Sequence, residues 1–147
     1  MIDIKSPEQI KLRGNQILVT LNRYEEDYKN KSGVIVFLKG TMKYYQKIVA
    51  IGDVVKRMGE YEVGDTVIFK SDAFARLAHS WEEEEVKQQN KDMMNDKVSN
   101  INAVKDKMSM IYKFNEIEIG GKLYAFMYDT DIMCGIKDPI ELEYAPD

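Results

Sequence analysis

The sequence has very few of the residues that build disulfides, metal sites and nucleophilic catalytic sites. Its 147 residues include one cysteine, Cys134, and one histidine, His79. A single cysteine excludes an intrachain disulfide, and one cysteine with one histidine cannot complete a closed zinc site. His79 is adjacent to Ser80 in the sequence, whereas a catalytic triad needs groups that converge from separate elements. We therefore predict no enzymatic activity, no metal and no cofactor, with Cys134 buried as a small apolar side chain.

The chain also lacks long apolar runs and an excess of basic residues. No apolar run approaches the length that spans a bilayer, and the first residues do not resemble a signal peptide. The chain carries 21 Lys and Arg against 25 Asp and Glu, a net charge of −4. This balance argues against a nucleic-acid partner. We expect a cytoplasmic protein that binds neither nucleic acid nor a membrane.

Short apolar runs separated by turn residues predict a mostly β protein. Residues 16–21 read Gln-Ile-Leu-Val-Thr-Leu, which indicates a strand that is covered on both faces. The dipeptide Gly120-Gly121 is typical of a two-residue hairpin turn. The other predicted strands cover residues 44–51, 66–70, 122–128 and 132–136. The predicted architecture is a small antiparallel barrel.

The hydrophobic spacing changes between residues 77 and 111. Apolar residues there fall three to five positions apart among Lys, Glu, Gln and Asn, which favours two amphipathic helices. Alternation returns at Ile117, and Pro139 and Pro146 indicate a loose C-terminal tail. We therefore predict a single domain over residues 1–147, with a helical insertion at 77–111.

Five sequence blocks together resemble the GroES family of co-chaperonins. They are Lys-Ser-Gly-Val-Ile-Val-Phe (31–37), Lys-Ile-Val-Ala-Ile-Gly (47–52), Val-Gly-Asp-Thr-Val-Ile-Phe (63–69), Gly-Lys-Leu-Tyr-Ala-Phe-Met (121–127) and Asp-Thr-Asp-Ile-Met (129–133). The family has similar blocks in the same order, among them Gly-Gly-Ile-Val-Leu and Val-Gly-Asp-x-Val-x-Phe. The resemblance covers residues 10–75 and 112–136, and it implies a GroES-like, small, partly open β-barrel.

The resemblance also implies a function. Family members form homo-oligomeric rings, heptamers in general, that cap an ATP-driven chaperonin ring and assist the folding of an enclosed, unfolded client protein. Their mobile loop docks on the chaperonin through an Ile-Val-Leu tripeptide. Ile35, Val36 and Phe37 match that tripeptide, Gly33 matches the glycine before it, and Val34 completes the apolar patch. The segment at 23–33 is charged and turn-rich, as in a flexible loop.

The apolar patch has an alternative interpretation, an ordinary edge strand of the barrel. In the resembled family, the first and last strands of adjacent subunits pair and so close the ring. The matching positions here are Ile17, Leu18 and Val19 in the first strand, and Ile132, Met133 and Ile136 in the last.

Two departures from the family pattern affect the interpretation. The connection between Gly52 and Val63 is too short for a roof hairpin, which resembles the roofless co-chaperonins encoded by large bacteriophages and would place the protein in the host cytoplasm. The insertion at 77–111 has no counterpart in the family. The alternative function is therefore a structural ring or decoration protein of a virus particle, located in the virion, that reuses the GroES-like barrel.

Overall fold

The computed structural model describes residues 1–78 and 109–147, in which strands and turns predominate. The predicted mostly β class is confirmed. A short helix, α1, covers Asp53–Met58, and 3-10 turns cover Pro7–Gln9, Ser71–Phe74 and Asp129–Asp131. The strands are β1 Gln16–Thr20, β2 Tyr28–Lys29, β3 Ile35–Phe37, β4 Gln46–Ile51, β5 Thr66–Phe69, β6 Ala75–Ala78, β7 Ser109–Tyr112, β8 Asn115–Ile119, β9 Lys122–Tyr128 and β10 Ile132–Ile136.

Six strands form one antiparallel sheet in the order β10-β5-β4-β1-β9-β8. Strand β4 pairs with β5 at Gln46 and Lys47, and with β1 further along, so it joins the two halves of the sheet. We predicted a partly open barrel. Within the part of the chain that is described, the sheets do not close into a barrel, because β8 and β10 end the sheet and each pairs on one side only.

Strand β1 lies in the middle of this sheet, with β4 on one side and β9 on the other. Its residues Ile17, Leu18 and Val19 are all fully buried. Since successive side chains of a strand point to opposite faces, burial of all three means that both faces are covered. The predicted two-sided burial of this strand is confirmed. Leu18 packs with Ile119 and Tyr124 in a buried cluster.

The turn between β8 and β9 is the one that the sequence predicts. Gly120 and Gly121 have φ values of 58° and 81°, and positive φ at both central residues is the conformation of a type I′ hairpin turn. The sequence analysis predicts only a short connection between Gly52 and Val63, so it does not predict helix α1. It ends at Gly59, which adopts the left-handed conformation common after a helix.

Residues Ser71–Phe114 belong to a separate compact unit. Its described part is a ribbon in which β6 pairs antiparallel with β7, from Ala75 opposite Tyr112 to Ala78 opposite Ser109. The predicted helical insertion at 77–111 therefore needs correction at both ends, where residues 77–78 and 109–111 are strand. The backbone pairing of the ribbon includes these residues. The remainder of the predicted helices, with His79 and Ser80, lies outside the described residues.

A close backbone approach joins β1 to the start of α1. The Gly52 N–H donates to the Gln16 carbonyl at 2.8 Å, and the Val54 N–H donates to the Gly14 carbonyl at 3.0 Å. A Cβ atom on Gly52 would overlap with the Gly14 carbonyl oxygen. This position therefore requires glycine for steric reasons.

We predict that Gly52→Ala lowers the free energy of unfolding by about 2 kcal/mol or more, because two backbone segments must separate to admit the methyl group. Urea unfolding measures the change. Gly135→Ala is the matched control, since its Cβ would meet its nearest neighbour at 3.8 Å, an ordinary contact. Equal stability of the two variants would contradict the prediction.

Candidate functional site

A buried glutamine anchors both ends of the segment that carries the predicted docking residues. The Gln46 side-chain oxygen accepts hydrogen bonds from the Thr20 hydroxyl and the Asn22 N–H, both at 2.8 Å. Its amide group donates to the carbonyls of Asn22 (3.0 Å) and Lys43 (2.9 Å). Asn22 and Lys43 therefore meet at one side chain, and we call residues 22–43 between them the hairpin.

The two limbs of the hairpin are paired along their length. The Tyr24 N–H donates to the Thr41 carbonyl at 2.9 Å, and the Gly40 N–H donates to the Tyr24 carbonyl at 2.8 Å. Further out, β2 pairs antiparallel with β3. The segment at 23–33, which the sequence predicts to be a flexible loop, thus forms one limb of a paired hairpin. The alternative interpretation, an edge strand of the barrel, correctly places a strand at residues 35–37. That strand does not join the six-stranded sheet, because it pairs with β2 in a separate two-stranded sheet.

The tip of the hairpin is a tight turn held by Asn30. The Asn30 side-chain oxygen accepts from the N–H groups of Ser32 and Val34, both at 3.0 Å. The Asn30 N–H in turn donates to the Val34 carbonyl at 3.0 Å. Gly33 has a φ of 85°, a left-handed conformation that favours glycine. The tip therefore positions Val34 and the strand that follows it.

Three stacked aromatic rings support the middle of the hairpin. The ring centroids of Tyr24 and Tyr28 are 5.3 Å apart, and those of Tyr24 and Phe37 are 5.1 Å apart with nearly parallel planes. Phe37 is half-buried. Of the three residues predicted to dock on a chaperonin, Phe37 therefore packs within the hairpin, and it fixes the direction of β3.

Four aliphatic side chains near the outer end of the hairpin face solvent. The exposed fractions are 59% for Val34, 44% for Ile35, 45% for Val36 and 56% for Leu38. The structure thus exposes two residues of the matched tripeptide, Ile35 and Val36, together with Val34 before them and Leu38 after, and the sequence analysis missed Leu38. Leu38 directly follows the matched tripeptide, and its apolar side chain is the sequence feature that could have predicted it as part of the exposed group. We call these four residues the apolar patch.

The C-terminal segment 137–147, here the tail, contacts the hairpin. The Tyr28 hydroxyl donates to the Leu142 carbonyl at 2.9 Å, and the Ala145 N–H donates to the Lys29 carbonyl at 2.9 Å. Ala145 is buried and forms a parallel bridge with Asn30. These contacts correct the prediction of a loose tail. The prediction rested on two prolines, and a local signal of this kind carries no information about long-range contacts.

A charged and aromatic group lies near the base of the hairpin. The Tyr45 hydroxyl donates to a Glu141 carboxylate oxygen at 3.1 Å, and the Lys43 ammonium lies 4.0 Å from the same oxygen. The Lys43 ammonium also lies 5.4 Å from the Tyr24 ring centroid, within the range of a cation–π interaction. Burial, together with the hydrogen bond to Glu141, raises the pKa of Tyr45 to about 12.

An open cleft of about 450 Å³ lies beside this group. Its lining combines carboxylates with two cations and two tyrosines: Arg23, Lys43, Glu25, Glu26, Asp27, Glu143, Tyr24 and Tyr28, with Asn22. Within residues 1–78 and 109–147, no group of three or more His, Cys, Asp or Glu side chains is arranged to hold a metal ion. No described helix has the length and apolar character needed to cross a membrane. The cleft therefore has mixed charge, with no sign of a built metal site in the described chain.

The predicted subunit-interface residues divide into two groups. Ile17, Leu18 and Val19 cannot pair with a neighbouring subunit through β1, because β1 is hydrogen-bonded on both sides within the chain. That part of the prediction is corrected. Strand β10 is different, since it lies at the edge of the sheet.

On β10, Ile132 is buried, Ile136 is half-buried and Met133 is exposed. Cys134 is also exposed, although we predicted burial. The register of β10 against β5 shifts between Ile132 and Cys134, so simple alternation does not continue past Ile132. Beyond its pairing with β5, the outer edge of β10 has no other described strand beside it.

We predict that Gln46→Leu lowers the free energy of unfolding by about 2–4 kcal/mol, because the Thr20 hydroxyl, the Asn22 N–H and the Lys43 carbonyl lose their bonds to the buried amide in a partly buried site. Chemical unfolding measures the loss. Gln16→Leu is the matched control, since the Gln16 side chain accepts an exposed hydrogen bond from the Arg13 N–H. A loss no larger in Gln46→Leu than in the control would contradict the role of Gln46 as an anchor.

We also predict a difference in alkaline stability between the native protein and Tyr45→Phe. The folded pKa of Tyr45 is raised above the usual value of 10.0, so its contribution to stability is complete below pH 10. That contribution is lost as the pH rises through about 12, because the unfolded chain releases the proton first. Unfolding of both proteins from pH 8 to 12 should show the native protein losing stability faster above pH 10. Parallel pH profiles would contradict this.

Comparison with known proteins adds nothing to this geometry. No protein-family model matches the sequence, and no curated protein matches it at a significant level. The function must therefore be argued from the hairpin, the apolar patch and the exposed edge of β10.

Proposed function

We propose that this protein is a co-chaperonin that caps an ATP-driven chaperonin ring through its hairpin and assists the folding of an enclosed client protein. The apolar patch is the observation that carries the proposal. Four large aliphatic side chains stand exposed on a hairpin whose base is anchored by a buried amide. A cluster of exposed apolar side chains favours a protein-binding surface over ordinary surface composition, and these four lie within five consecutive residues. The proposed partner is the one that the GroES-like resemblance implies.

The energetics of the patch suit reversible capping. Full burial of one aliphatic side chain contributes about 1.5–3 kcal/mol, and the four side chains of the patch are already about half-buried. Burial of their remaining surface therefore contributes about 3–6 kcal/mol, whereas association itself costs about 4–15 kcal/mol. A single hairpin therefore binds weakly. The paired limbs of the hairpin reduce the cost of ordering, which is about 1–2 kcal/mol for each residue of a flexible loop. A ring of several hairpins converts weak contacts into avid binding.

Assembly into a ring, of seven subunits by the resemblance, is the second part of the proposal. The two edges of the sheet differ in charge: β8 carries Glu116 and Glu118, whereas β10 reads Ile-Met-Cys-Gly-Ile. Charged residues protect an edge strand against pairing with another chain, and an apolar edge invites it. We therefore assign the subunit contact to β10. For a ring to close, β10 must contact a second, different surface of the neighbouring subunit, because pairing of β10 with β10 would give a two-fold dimer.

The alternative function is a structural ring or decoration protein of a virus particle. The hydrogen-bonded hairpin favours it, because a fixed apolar surface also suits a permanent contact. Nucleotide dependence separates the two functions. A co-chaperonin binds a chaperonin ring when nucleotide is present and is released as the nucleotide turns over, whereas a structural protein shows no such cycle.

We predict that Ile35→Ser and Val36→Asp each abolish capture by a purified bacterial chaperonin ring in the presence of ATP or ADP. Each change removes exposed apolar area from the patch, so thermal stability and the mass of the oligomer in solution should stay nearly unchanged. Val63→Ser is the matched control, because Val63 is an aliphatic residue that is at least as exposed as Ile35 and Val36 but lies outside the hairpin.

Capture of both patch variants at the level of the native protein would refute docking through the hairpin. Unfolding of either variant, or loss of its oligomer, would show that the patch is structural. Failure of the native protein to bind the chaperonin ring with any nucleotide would favour the structural alternative.

A further inference from the structure

The tail makes its described contacts along the β2 side of the hairpin and at its base. It meets the hairpin through Tyr28, Lys29 and Asn30, and it meets the base through Tyr45. From these contacts we infer that the tail is an intramolecular brace, which holds the hairpin in the geometry that presents the apolar patch. The consequence for docking rests on the proposed function, whereas the brace itself can be tested without any partner.

Three residues at every second position of the tail contact the hairpin or its base. Glu141 contacts Tyr45 and Lys43, Glu143 lines the cleft with Tyr24 and Tyr28, and Ala145 is buried beside Asn30. Of these three residues only Ala145 is buried, whereas Glu141 and Glu143 touch the hairpin from exposed positions. The backbone of Leu142 still reaches the hairpin, through its carbonyl oxygen.

The position of the tail makes it a brace rather than a lid. All of its hairpin hydrogen bonds are to the β2 limb, while the apolar patch lies on the turn and on the β3 limb. Val34, Ile35, Val36 and Leu38 keep about half of their surface exposed with the tail in place. A segment that leaves the docking residues uncovered cannot inhibit docking by masking them. It acts on docking through the mobility of the hairpin.

Bracing strengthens docking because a preorganised element loses less conformational freedom when it binds. The hairpin by itself is a two-stranded ribbon with two residues in β2 and three in β3, and an isolated ribbon of this kind is marginally stable. The parallel bridge between Ala145 and Asn30 adds a third segment beside β2. Loss of the tail contacts should therefore increase local opening of the hairpin and leave the six-stranded sheet closed to exchange.

Two full-length variants test the brace by amide hydrogen exchange. The double variant Tyr28→Phe/Tyr45→Phe removes both hydroxyl contacts with the tail but keeps the rings. Ala145→Asp places a charge at the buried tail position. We expect the amides of Asn30, Gly33 and Val34 to exchange about tenfold faster in both variants, with the amides of β1 unchanged. Tyr144→Phe is the control, because the Tyr144 hydroxyl has no hydrogen-bond partner among the described residues.

The same variants are then titrated against the purified chaperonin ring. We expect binding to weaken by about tenfold while the oligomeric mass stays that of the native protein. Unchanged exchange in both variants would overturn the brace, and tighter binding would show that the tail inhibits docking, which also overturns it. If the native protein itself does not bind the ring, the proposed function fails, and the exchange rates still decide whether the tail braces the hairpin.

Discussion

The buried amide of Gln46 is the interaction on which the rest of this structure depends. A glutamine side chain can accept two hydrogen bonds and donate two, and all four are made here, to Thr20, Asn22 and Lys43. The amide lies where β4 turns from pairing with β5 to pairing with β1. One side chain therefore fixes the junction of the two halves of the sheet and the separation of the hairpin ends. A buried amide with any of these partners missing would carry an unsatisfied polar group, so alternative geometries of the hairpin base are disfavoured.

Stability decreases outward from this anchor. The sheet around β1 is held by full burial on both faces, whereas the hairpin is held by backbone pairing and three stacked rings. The tail depends on one buried alanine and a few exposed polar contacts. Exposed hydrogen bonds of this kind contribute about 0.5–1.5 kcal/mol each, and surface ion pairs contribute about 0–1 kcal/mol. The elements that would meet a partner are therefore also the ones that open most easily, which is the usual distribution in proteins that bind reversibly.

The sequence predicts the elements of the sheet better than their neighbours in space. The runs at 16–21 and 122–128 and the turn at Gly120-Gly121 are local signals, and each predicted its element within a residue or two. The central place of β1 depends on which strands pair with it, and no local pattern contains that information. The stack of Tyr24, Tyr28 and Phe37 is equally invisible, because it joins two limbs of the hairpin and its members are up to thirteen residues apart in the sequence. The contacts of the tail join positions that are about a hundred residues apart, such as Tyr45 and Glu141.

An exposed apolar patch would ordinarily be an aggregation hazard, and the hairpin carries features that limit it. Exposed lysines flank the patch at Lys29, Lys31 and Lys39, and flanking charges of one sign oppose the stacking of identical segments. The strand that bears the patch has three residues, too few for stable pairing between copies. A partner must therefore bury the aliphatic side chains without pairing with a long strand edge. An apolar groove on the partner meets this requirement better than the edge of a sheet does. The lysines also keep such contacts weak for a single copy, so useful affinity requires several hairpins that bind one partner together.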